Sequence, residues 1–163
     1  MKSKVKREYL QSAMFGFNDA LVSTTGVIVG IATGTNNKSV VLLAGVVTIL
    51  VEALSMGSGQ YLSSKSAHEL DKADSFRVPA ISGVIMFWAY FIAGLVPLVP
   101  IILFPVSTGR NVAIVASLVG LIVLGYAKGK IVKVSPLRSA LEVFIIGGLA
   151  TVIGIVVGNL LSV

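Results

Sequence analysis

Apolar residues fall into five long blocks, roughly 9–33, 40–62, 79–105, 111–128 and 138–161. Each is close to or above the about 20 residues that a helix needs to cross the hydrocarbon layer of a membrane. The pattern predicts an all-α membrane protein, with residues 1–163 forming a single transmembrane domain of five helices per subunit. An odd number of crossings puts the two termini on opposite sides. Between the blocks, Gly34-Thr35-Asn36-Asn37-Lys38 reads as a short turn, Pro105 to Arg110 as the close of the third helix, and Pro136 as the lead into the fifth. Pro97 and Pro100 lie inside the third block and predict a kink near its outer end. The longest polar stretch, 63–78, predicts a cytosolic extension of helix two followed by a break at Pro79. The first block follows Lys2, Lys4, Lys6 and Arg7 and continues past Asn18 and Asp19, too long and too polar for a cleaved secretory segment.

Composition and charge narrow the class. The chain is 55% hydrophobic and 12% charged, against about a quarter charged in soluble domains. A net charge of +6 could suggest nucleic acid. A chain this apolar leaves little surface for a phosphate-binding face, so no nucleic-acid partner is expected. The positive charge instead orients the helices. Eleven of the 13 Lys and Arg residues lie in the N-terminal tail, between helices two and three, or between helices four and five; only Lys38 and Arg110 lie on the other side. The positive-inside rule then places the N-terminus in the cytosol and the C-terminus outside or in a lumen. The absence of Cys excludes disulfides, thiolate metal sites and cysteine nucleophiles, and a single His, His68, excludes a multi-histidine metal motif. No nucleophile and base set or cofactor motif appears, so neither an enzyme nor a resident cofactor is expected.

Three of the seven acids, Asp19, Glu52 and Glu142, fall inside apolar blocks. A charge at the bilayer centre costs roughly 2.5–3.5 kcal/mol, which marks such residues as functional candidates. Asp19 lies 10 residues beyond Tyr9, and Glu52 lies 10 residues before Leu62. At a rise of about 1.5 Å per residue both stand about 15 Å from the cytosolic end, near the midplane. Glu142 is one turn from Arg138 and reads as its structural partner, or as a side chain reaching to the cytosolic interface. On helix two, Thr48, Glu52, Met56 and Gln60 recur every fourth residue as a polar or polarisable stripe. Two carboxylates and a thioether suit a divalent transition metal, because sulfur disfavours Mg²⁺ and Ca²⁺. On helix one, Gly26, Gly30 and Gly34 form a small-residue seam close to the face of Asp19, able to pack within one chain or between two copies. Gly154 and Gly158 on helix five offer a competing seam.

The run from Asn18 to Gly30, with Asp19-Ala20-Leu21-Val22-Ser23-Thr24-Thr25-Gly26, and the run Ala53-Leu54-Ser55-Met56-Gly57-Ser58-Gly59-Gln60-Tyr61-Leu62-Ser63 resemble helices one and two of the vacuolar iron transporter family. Gly94 to Pro100, Leu137 to Leu141 and Gly147 to Ala150 resemble its helices three and five. This resemblance implies a homodimer of five-helix subunits that exports Fe²⁺, and often Mn²⁺, from the cytosol in exchange for protons. It also implies metal-pathway roles for Asp19 and Met56. The chain departs from the family pattern in having Gln60 where a glutamate is usual and Glu52 where a small residue is usual. Many relatives carry a glutamate-rich metal-binding domain between helices two and three; here only residues 63–78 occupy that place. Their Glu69, Asp71 and Asp74, set among Lys65, Lys72 and Arg77, read as a solvated mixed-charge segment.

The expected function is therefore metal/proton antiport through Asp19, Glu52 and Met56, with a divalent metal ion and protons as substrates. The homodimer is expected to pack through Gly26, Gly30 and Gly34. A prokaryotic cytoplasmic membrane is the favoured location, or a vacuolar-type membrane in a eukaryote. Two rivals share the acids: a proton-coupled exporter of small organic cations, for which the aromatic residues do not converge on Asp19, and a non-transporting assembly subunit.

Overall fold

The computed structural model describes residues 2–71 and 76–161. Among these the backbone forms five α-helices: α1 (Lys2–Gly34), α2 (Lys38–Leu70), α3 (Arg77–Leu103), α4 (Val106–Val132) and α5 (Pro136–Leu160). All five are long and apolar enough to cross a membrane. α1, α2 and α4 outrun their apolar blocks, because hydropathy marks where lipid begins whereas backbone hydrogen bonding continues into polar turns beyond it. Lys72 and Asp74 of the mixed-charge segment lie outside the described residues.

Two boundaries differ from expectation. Pro105 to Arg110 is not a loop: only Phe104 and Pro105 separate α3 from α4, and Gly109 N donates to Pro105 O at 2.7 Å in the first turn of α4. Pro79 does not break a helix either. It is the third residue of α3, within the first turn, where a missing N–H costs no helical hydrogen bond. α3 continues through Pro97 and Pro100, both buried.

α1 is the central helix, packed against all four others. Around it α2 packs on α3, α3 on α4 and α4 on α5. One face of α1 stays open between α2 and α5, where Phe15 and Val27 are exposed. A buried cluster that includes Ala20, Ala53, Tyr90, Leu121 and Val143 draws on all five helices and fixes the middle of the bundle. A second cluster, including Ile28, Val41, Ile49 and Leu98, fills the half nearer the α1–α2 turn. Between α1 and α4, Thr25 Oγ1 donates to Ser117 Oγ at 2.7 Å.

Glycine sets the closest helix contacts. A Cβ at Gly30 would stand 2.9 Å from Gly154 O, and one at Gly34 would stand 3.0 Å from Gly158 O. In the reverse direction, a Cβ at Gly154 or Gly158 would collide with the Gly26 or Gly30 carbonyl. The seam of Gly26, Gly30 and Gly34, expected to join two copies, thus packs against α5 of the same chain. Gly154 and Gly158 are its complement rather than a competitor: glycines at the same four-residue spacing on both helices let the two backbones meet.

Candidate metal pathway

The apolar cluster packs α1 against α2 at the level of their acids. Asp19 stands near the middle of the 33-residue α1, and Glu52 near the middle of the 33-residue α2. Asp19 is half-buried and Glu52 is exposed on this single chain. Ala20 and Ala53, the chain neighbours of Asp19 and Glu52, pack in one buried cluster, which sets the two acids at the same level of adjoining helices. Met56, one turn beyond Glu52, is partly buried against the cluster that contains Ala20 and Tyr90. Thr48 and Gln60, the other members of the stripe, are half-buried. Two carboxylates and a thioether on adjoining helices therefore face the same level of the bundle. No group of three His, Cys, Asp or Glu side chains gathers among the described residues. A cation held here would complete its shell with the thioether, with water or with groups from a second chain.

Tyr90 belongs to this site and was not singled out from the sequence. It is fully buried on α3, and its hydroxyl lies 2.8 Å from Ser23 Oγ and 3.3 Å from Thr24 Oγ1. Ser23 is one turn beyond Asp19 on α1, so the Tyr90 hydroxyl is tied to α1 next to the level of the acids. Tyr90 lies 67 residues from Ser23, so helical spacing carries no signal for the contact.

The third intramembrane acid stands elsewhere. Glu142 Oε2 is 3.7 Å from Lys128 Nζ on α4, with the two side chains 61% and 38% exposed. It does not pair with Arg138, because the α4–α5 packing brings a cation from the neighbouring helix within reach. A pair this open adds little stability. In the last turns of α2, Lys65 and Glu69 form an exposed pair at 3.7 Å, and Asp71 caps the helix. These contacts agree with a solvated mixed-charge surface.

Residues 10–79 and 72–159 match the VIT family. The chain is 26% identical to vacuolar iron transporter 1 of Eucalyptus grandis, an alignment covering 88% of this chain and 83% of that one. It is 26% identical to vacuolar iron transporter homolog 3 of Arabidopsis thaliana, over 91% and 80% of the two chains. With the vacuolar iron transporter of Toxoplasma gondii it shares 23% identity over 95% and 75%. The Eucalyptus alignment extends over 206 positions and the homolog 3 alignment over 161. A chain of 163 residues cannot fill 206 positions, so the Eucalyptus protein carries segments that this chain lacks. With matches over nearly its whole length, the chain belongs to the VIT family.

Proposed function

We propose that the protein exports a divalent transition metal, Fe²⁺ or Mn²⁺, from the cytosol in exchange for protons, and that Asp19, Glu52 and Met56 hold the ion in passage. The observation that carries this reading is the pair of carboxylates half way along two membrane-length helices, each next to an alanine of one shared buried cluster, with a thioether one turn from one of them. A carboxylate removed from bulk water holds either a proton or a cation. Competition for the same oxygens therefore couples the two flows. The Met56 sulfur favours softer transition ions over Mg²⁺ and Ca²⁺. Similarity to vacuolar iron transporters supports iron as a substrate.

A second copy completes the site. Glu52, Ser55, Gly59 and Ser63 form one exposed polar strip on α2, next to the open face of α1. Lipid is a poor cover for that strip, since an intramembrane charge costs roughly 2.5–3.5 kcal/mol. Two-fold packing of α1 and α2 against their copies would shield the strip and set two Asp19 and two Glu52 side chains around a shared gap. The homodimer then uses the open α1 face and α2 instead of the glycine seam. Oriented by its positive charges, the protein takes metal from the N-terminal side.

Transport in reconstituted vesicles tests the coupling. As metal leaves the compartment on the N-terminal side, that compartment is expected to acidify, and an imposed proton gradient with the opposite, C-terminal side acidic should drive metal out of it uphill. Metal movement with no accompanying proton movement would remove antiport from the mechanism.

A further inference from the structure

We propose that Glu8 and His68 form a second divalent-metal site at the N-terminal end of the bundle, where the ion binds before it reaches Asp19. The role as an entry station rests on the transport reading above; the site itself rests on its own geometry. Glu8 projects from α1 to the junction with α2 and α3. Its Oε1 accepts hydrogen bonds from Ser64 Oγ on α2 and from Ser82 Oγ on α3, the latter at 3.1 Å. Its Oε2 lies 3.2 Å from His68 Nε2 on α2. Ser64 and Ser82 are buried and hold one carboxylate oxygen in place, which leaves the other turned to the imidazole. The Glu8 and His68 side chains are each 23% exposed, sheltered yet within reach of water.

His68 Nδ1 is buried and has no hydrogen-bond partner among the described residues, so the polar contact of the ring is the one that Nε2 makes with Glu8. As a metal site the set has the right reach. Two ligand atoms about 2.1 Å from a first-row divalent ion and about 100° apart stand about 3.2 Å from each other, which matches the separation of Oε2 and Nε2. An ion can therefore replace the proton between them without moving either helix. Imidazole with carboxylate selects transition ions over Mg²⁺ and Ca²⁺.

The position fits an entry station. Glu8 is 11 residues before Asp19, and 11 steps of 100° return to within about 20° of the same face, about 16 Å along α1. His68 is 12 residues after Met56, about 18 Å along α2, and follows Thr48, Glu52, Met56, Gln60 and Ser64 at four-residue intervals, a line that winds about 40° around the helix at each step. Both helices thus carry a second set of ligands at a matching distance from the first, with polar groups in between.

Pulsed electron paramagnetic resonance of bound Mn²⁺ tests the site, because the chain has a single histidine and any imidazole nitrogen coupling must come from His68. The protein is purified without a polyhistidine tag. Coupling is expected in the wild type and in Asp19→Asn/Met56→Ala, which disables the central site. It should vanish in His68→Gln, and Glu8→Gln should weaken Mn²⁺ binding in the double variant by at least about tenfold. Bound Mn²⁺ without imidazole coupling, or no Mn²⁺ bound by the folded double variant, overturns the proposal. Vesicle flux separates the two ideas: coupling in a protein that moves no metal keeps the site and removes the transport reading, and transport without coupling does the reverse.

Discussion

Asp19→Asn is expected to reduce metal export and the accompanying proton flux to the level of protein-free vesicles. The amide keeps the size of the carboxylate but can neither carry the charge that holds a divalent cation nor take up and release a proton. Removing one partner of a desolvated charge contact costs about 3 kcal/mol, which is about a 100-fold loss of binding. Asp19 is half-buried on the central helix, and an isosteric change there leaves the apolar cluster around Ala20 undisturbed. Loss of flux in a variant with wild-type thermal stability would therefore report on ion chemistry and not on folding. Metal flux that survives in Asp19→Asn vesicles would remove the acid from the pathway.

Gly158→Val should produce the largest loss of stability. A Cβ at Gly158 meets the Gly30 carbonyl and also crowds Thr33 Cβ at 3.0 Å. Backbone cannot turn away as a flexible side chain can, so α5 must withdraw from α1 over the length of the glycine seam. Overpacking of this kind costs about 1–3 kcal/mol and sometimes more. The helices depend on close contact because lipid supplies no hydrophobic drive for them to associate. Gly148→Val is the control: a Cβ there meets nothing within 4 Å. In detergent, Gly158→Val is expected to unfold at clearly lower temperature than the wild type, with Gly148→Val close to it. Equal melting of the two variants would show that the α1–α5 seam is not a close backbone contact.

The five helices were legible because bilayer thickness imposes a minimum apolar length, and each block met it. Their ends were less so. The polar residues Ser107, Thr108, Gly109 and Arg110 resemble a loop in composition, yet they form the first turns of α4, where a helix can leave the apolar layer and continue. The depth of Asp19 and Glu52 followed from counting residues along two helices of known rise. The use of Gly26, Gly30 and Gly34 did not, because a small-residue pattern shows that a helix can be approached closely and not which helix approaches. Glu142 shows the limit of spacing rules in another way: Arg138 is near in sequence, but Lys128 arrives from the next helix. Tyr90 with Ser23, and Glu8 with Ser64, His68 and Ser82, are contacts between separate helices 56 to 74 residues apart. One signal for the second set was present in the four-residue series on α2, which runs on from Gln60 through Ser64 to His68.

Anomalous scattering from crystals soaked in Mn²⁺ would locate the ion itself. A peak about 2.2 Å from a carboxylate oxygen of Asp19, on the side shared with Glu52 and Met56, is the expected result. In transport-competent protein, a metal bound elsewhere with none beside Asp19, or an Asp19 side chain facing lipid away from Glu52, would contradict a passage built on these residues.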